Sequence, residues 1–141
     1  MSHIEKFDLI VAEIVGHCYD NFPHRINFES QFIVSKVAEY YSLDNACAVA
    51  NFQIDTSEIV ISTFAWLKEA GYIWANGHTD DKFIGVTLSP KALELMKLVP
   101  ESLQTQQTIG DTLTSGAKSI GKAGALSVIQ VLLSEGLKLS L

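Results

Sequence analysis

The chain has almost nothing with which to cross-link itself. Its only cysteines, Cys18 and Cys47, stand far from any Cys-x-x-Cys spacing, which argues against a disulfide framework or a zinc site and predicts two small buried thiols in a cytoplasmic protein. With 141 residues, 48% hydrophobic and only 18% charged, it can bury a core without such staples and lies far from the composition of disordered chains. The opening residues lack the apolar run of a signal peptide, because Glu5, Asp8 and Glu13 interrupt it. A phosphate-cradling loop is missing too: there is no Gly-Lys-Ser or Gly-Lys-Thr, and Gly116, Gly121 and Gly124 do not follow a strand. No internal repeat is visible.

Basic side chains are the other shortage. Ten Lys and Arg face sixteen Asp and Glu, a net charge of −6, and this opposes the polyanion attraction behind non-specific nucleic-acid binding. The whole deficit lies in residues 1–97, whereas Lys118, Lys122 and Lys138 balance Glu101, Asp111 and Glu135 beyond them.

What is present is periodicity. Ile4, Phe7, Ile10, Val11, Ile14 and Val15 recur at helical spacing and predict a first helix from His3 to about Cys18. Asp20 to His24 breaks it, Ile26-Asn27-Phe28 reads as a very short strand, and Glu29-Ser30 opens a second helix to about Tyr41. Residues 42–53 fit either a short helical turn or a packed loop. Asp55-Thr56-Ser57-Glu58 has the form of a capping box and predicts the start of a third helix. Val60, Phe64 and Leu67 would be its core face, and Gly71 its left-handed stop. Tyr72–Ala75 and Lys82–Leu88 then read as strands around a turn at 76–81, and Ser89-Pro90 caps a further helix that Pro100 stops.

On that order of elements, Trp66-Leu67-Lys68-Glu69-Ala70-Gly71-Tyr72-Ile73 resembles the end of the third helix in bacterial winged helix-turn-helix proteins. Val86 to Met96 is similar to the second wing strand and following helix of the MarR- and PadR-like branches. The resemblance covers residues 3–98. It implies a mostly helical fold with a small β-hairpin, a winged-helix domain at 3–98; residues 101–141 lie beyond it and are read from their own spacing as a helical extension. It further implies a third helix at 55–70 that enters a DNA groove and a wing at 76–82 that touches the backbone.

The residues at those positions depart from the DNA-binding pattern. Asp55, Glu58 and Glu69 outnumber Lys68 on the third helix, and Asp80 and Asp81 outnumber Lys82 on the wing. The outward positions, Ser57, Glu58, Ile61, Ser62 and Ala65, are small, apolar or acidic and offer no Arg, Asn or Gln to read base edges. They suit a protein partner, with Trp74 and His78 of the wing as neighbours. Trp66, Tyr72 and Trp74 usually serve packing in such a cluster, and Trp74 on an open face would instead anchor a partner. The alternative is a dimeric DNA-binding regulator using Lys36, Lys68 and Lys82 as phosphate contacts.

From Ile109 onward, Leu113, Ala117, Ile120, Gly124, Val128 and Val131 follow near-helical steps and predict one long helix. Residues 123–134 carry no charge and are apolar all round, so this stretch must be covered, either by the domain or by a second copy. Twelve residues reach about 18 Å, too short for a hydrocarbon core of about 30 Å. An interfacial membrane helix flanked by Lys118 and Lys122 is a weaker reading. Gly116, Gly121 and Gly124 imply either close helix packing or a break near Gly121.

No constellation names a reaction. His17, Cys18, His24, Cys47 and His78 show no familiar metal spacing beyond the adjacent His17-Cys18 pair. His17 fits the end of a helix, where the dipole favours a cation, and Cys47 has no third group to activate it. The sequence therefore predicts a non-enzymatic binding module with no catalytic residue, cofactor or metal. It would be a homodimer through residues 109–135, with an unknown protein partner, DNA disfavoured and membrane contact disfavoured.

Overall fold

The computed structural model describes residues 2–99, 107–114 and 117–140, with the side chains of 117–120 and 140 outside the description. Ten elements follow in the order α1 (His3–Asn21), β1 (Ile26–Glu29), α2 (Ser30–Ala38), α3 (Ala46–Glu69), β2 (Ile73–Trp74), β3 (Gly77–His78), β4 (Lys82–Leu88), α4 (Pro90–Met96), α5 (Ile109–Thr114) and α6 (Ala117–Ser140). The protein is mostly helical, with a small antiparallel sheet and a long C-terminal helix. The stop at Pro100, Gly116, and the side chains of Lys118 and Ile120 lie outside the described residues.

The centre of the fold is α1. Ser2 caps it by accepting from the Glu5 N–H at 3.0 Å. Its buried residues include Leu9, Ile10, Val11, Ala12, Ile14, Val15 and Cys18, too broad a set for the single stripe that the spacing predicted. The reason is that α2, α3 and β4 pack on it, and so do α5 and α6. Ile4, expected in the core, is 71% exposed because it precedes the turns that these neighbours cover. The helix also runs one turn past Cys18, so His17 is not at its end.

The largest departure concerns α3. It begins at Ala46, capped by Asn45, whose Oδ1 accepts from the Ala48 N–H at 2.8 Å. The Asp55-Thr56-Ser57-Glu58 pattern therefore lies inside a helix, where the Ser57 hydroxyl donates to the Gln53 carbonyl at 2.6 Å instead of capping anything. Phe52 explains the extra turns: it is 3% exposed, its ring lies 5.4 Å from that of Tyr41, and the Lys6 ammonium sits 5.0 Å above it. α2 is shorter than expected and ends at Ala38, with successive turns to Tyr41.

Gly71, at φ +82°, ends α3 as predicted. Ser89 accepts from the Ala92 N–H and donates to the Gly71 carbonyl, while Lys91 donates to the Ala70 carbonyl at 2.9 Å. The end of α3 and the start of α4 are thus tied together.

β4 is the middle strand, with β1 on one side and β2 and β3 on the other. The hairpin keeps one register from Ile73 opposite Leu88 to His78 opposite Phe83. The turn is consequently tighter than the 76–81 expected, closing where the Thr79 N–H donates to the Lys82 carbonyl at 2.8 Å. Against β1, the pairs Ile26–Val86 and Phe28–Phe83 leave one extra residue on β4, a bulge at which Gly85 has φ +64°. Asn27 accepts from the Gly85 N–H at 2.8 Å, and Arg25 donates to the Gly85 carbonyl at 2.9 Å and to Asn76 at 3.1 Å.

The single helix expected from Ile109 is two, α5 and α6, with a further break at Gly121, where φ is +73° and ψ 179°. Nothing approaches within 4 Å of a Cβ built on Gly121, so its role is the break and not close packing. Close approach falls elsewhere: Gly16 lies against Leu113, and a Cβ on Gly110 would meet the Tyr19 ring at 2.6 Å. Ala125, Val128, Ile129 and Leu132 of α6 are buried, and Lys122 pairs with Glu5 of α1 at 2.8 Å. Among the described residues no helix is long and apolar enough to cross a membrane.

Candidate protein-interaction surface

The long α3 shows one face to the core and one to solvent. Val60, Phe64 and Leu67 are buried, as are Phe52, Thr56 and Thr63 one and two turns before them. Opposite stand Glu58, Ile61, Ser62 and Ala65, all exposed as the spacing predicted, with Ser57 half-buried because Gln31 donates to its hydroxyl. The unexpected N-terminal turns extend this face with Ile54, 67% exposed, and with Asn51, also exposed. Val49 and Gln53 are exposed too, but they lie on the side of the helix that carries Val60 and Leu67 further along.

Beside that face runs an apolar groove of about 420 Å³ between the start of α1 and the middle of α3. His3, Ile4 and Phe7 form one wall, Ile59 and Trp66 the other, and Glu58 supplies a carboxylate. Trp66 is held in place by two rings: Phe7 meets it edge-on at 5.2 Å, and Tyr72 stacks on it at 5.8 Å. It nevertheless remains 42% exposed. Sequence reasoning missed this groove because it assigned Ile4 to the core face of α1 with Phe7, which does pack against the core; the signal available was that both precede the uninterrupted apolar run of α1.

The hairpin residues are exposed as well. Trp74 is 50% exposed in β2, opposite Thr87, and His78 is exposed in β3 with its ring 6.1 Å from Phe64. Asp80, Asp81 and Lys82 lie at the tip, and the Asp81 carbonyl accepts from the Ser30 N–H at 2.7 Å, which anchors the hairpin to the start of α2.

Basic side chains do not gather here. Lys6 is buried over Phe52, Arg25 serves the Gly85 bulge, Lys91 serves the end of α3, and Lys122 pairs with Glu5. Lys97 and Lys138 pair with Glu94 and Glu135. Of the three lysines assigned to phosphate contacts, Lys36 lies 5.7 Å from the Phe32 ring. Lys68 and Lys82 are exposed, the latter opposite Glu29 across the sheet.

The nucleophile and ligand candidates are dispersed. Burial pushes the Cys18 thiol up to about 12, which makes it inert. Cys47 is exposed on the first turn of α3, correcting the expectation of a buried thiol, and its sulfur accepts a weak hydrogen bond from Asn51 at 3.7 Å. His17 lies between the rings of Phe28 and Phe32, and burial holds its pKa below the ordinary value, the reverse of a cation favoured at a helix end. Among the described residues no three His, Cys, Asp or Glu side chains are grouped to hold a metal.

The residues expected to pair two copies are largely covered within one chain. Ile109, Leu113, Ala125, Val128, Ile129 and Leu132 are all buried, and Leu126, Val131 and Leu133 partly so. No family model matches the chain, and no curated protein or solved structure gives a match.

Proposed function

We propose that the chain is a non-enzymatic winged-helix module that binds a protein partner through the outward face of α3 and the wing. The order α1, β1, α2, α3, hairpin, α4, with β1 paired to the returning hairpin strand, supports the winged-helix reading. The observation that carries the choice of partner is the character of the α3 face, where Ile54, Ile61, Ala65 and Trp66 stand exposed among Asp55 and Glu58. Exposed aromatic and aliphatic anchors in a weakly charged setting favour a protein, whereas DNA requires a basic surface. The described basic residues are mostly engaged elsewhere in the fold.

Ile61→Asp places a charge in the middle of this face without touching the core, since Ile61 is already 37% exposed. The variant is expected to melt like the wild type and to lose the proteins that the wild type captures from a native lysate. A folded variant that keeps every captured protein removes the reading. Anisotropy with mixed-sequence duplex DNA is expected to show no binding even at low salt; binding that falls steeply with salt replaces the module by a DNA-binding regulator.

A further inference from the structure

We propose that a small cleft between α1, α2 and α5 binds a free α-amino acid, its carboxylate on Lys36 and its ammonium on Asp20. No residue of α3 lines this cleft, so the site is separate from the face assigned to a protein partner.

The cleft holds about 190 Å³. That is below the roughly 300–1,000 Å³ of sites for drug-sized ligands, which restricts the occupant to a small molecule. Helical spacing gathers its polar groups: Glu13, His17 and Asp20 lie on successive turns of α1, and Lys36 comes from α2 one turn after Phe32. Glu13 accepts from the Tyr40 hydroxyl at 3.1 Å. Asp20 and Lys36 are different, because among the described residues neither is ion-paired, although both are close enough to His17 to act on it electrostatically. The nitrogens of the His17 ring likewise have no hydrogen-bond partner among the described residues.

The arrangement of charge selects the occupant. A lone anion on Lys36 faces the Glu13 and Asp20 carboxylates, and a lone cation on Asp20 faces the Lys36 ammonium. A neutral molecule strips water from both charges and replaces it with nothing. A zwitterion answers both at once, and an α-amino acid carries its two charges on one carbon, close enough together for so small a cleft. His17, whose burial favours the neutral ring, adds one donor and one acceptor. Phe32 and Leu113 offer an apolar wall to a short side chain. Gly16 lets that wall come near, since a Cβ there would lie 3.4 Å from the Leu113 Cβ.

Amide NMR titration of the full chain with L-alanine, L-serine and L-leucine, each to about 20 mM, tests the proposal. L-alaninamide and N-acetyl-L-alanine serve as controls that carry one charge each. At least one of the amino acids is expected to give saturable shifts centred on residues 12–20, 32–36 and 113–114, and the corresponding single-charge forms to bind about tenfold more weakly or not at all. Asp20→Asn and Lys36→Met, neither in the core, should each cost about tenfold in affinity for the amino acid with an unchanged circular dichroism spectrum. Saturable shifts with none of the amino acids overturn the proposal, whatever the variants do. So do controls that bind as well as the amino acid, shifts centred on other residues, or folded variants that bind normally.

Discussion

Replacing Ile129 by alanine tests whether the C-terminal helices belong to the same cooperative unit as α1, α2, α3 and the sheet. Ile129 is fully buried on α6, which packs on α1. A buried isoleucine cut to alanine costs about 2–5 kcal/mol, out of a total stability of about 5–15 kcal/mol for such a domain. At about 3 kcal/mol the urea midpoint should fall by about 1.5–2 M, or the melting temperature by about 6–12 °C. The two tryptophans make the assay selective, because Trp66 lies in α3 and Trp74 in β2, both outside α6. Tryptophan fluorescence therefore reports α3 and the hairpin, whereas circular dichroism includes α6. In one cooperative unit both signals move together to the same lower midpoint. A fluorescence midpoint that stays at the wild-type value, while helicity is lost early, would refute the placement of α6 as the second cover of α1.

Two further changes probe the bulge and the buried charge. Gly85→Ala adds a side chain at φ +64° and places its Cβ 2.6 Å from Asn76 Cγ, so about 2–3 kcal/mol should be lost; a thermal melt within about a degree of wild type would deny the strain. Asp8 is only 9% exposed, and burial raises its pKa above the ordinary value. The folded state then holds the Asp8 proton more tightly than the unfolded chain, so its contribution is present below the unfolded pKa of about 3.9 and is lost as pH rises through the folded value. Asp8→Asn should accordingly be more stable than wild type in urea at neutral pH, and the difference should shrink in acid. An equal difference at both pH values would place the effect elsewhere.

Elements with strong local signals were legible in the sequence: the Gly71 stop, the Ser89-Pro90 cap and the core face of α3 are set by residues within a turn of one another. The start of α3 was not, because a capping pattern is a local preference that tertiary contacts override. Asp55 to Glu58 satisfies the pattern, but Phe52, lodged between Tyr41 and Lys6, fixes the turns before it. The two-sided burial of α1 was hidden for a related reason. Its apolar residues cover most of the circumference, but only the positions of α5 and α6 reveal why. Of the candidate surface, the exposed residues of α3 and the hairpin followed from spacing, whereas the groove depends on how far α1 extends beyond its neighbours.

The longer α3 changes what the charge imbalance means. At about 1.5 Å per residue, its 24 residues span about 36 Å, far more than the stretch from 55 to 70. The added turns carry no charge: Asn51 and Ile54 are exposed on this face, and the acids begin only at Asp55. The face is thus uncharged at its start and acidic beside Glu58, with Lys68 and Glu69 together at its far end. Meanwhile Lys6, which precedes the buried stretch of α1, is drawn inward by Phe52, the residue that lengthens the helix. The same contact that extends the face also removes a cation from its surroundings. Under the proposed function, the partner presents apolar groups opposite Ile54 and Ile61 and a basic group opposite Asp55 and Glu58, a pattern that a phosphate backbone does not have.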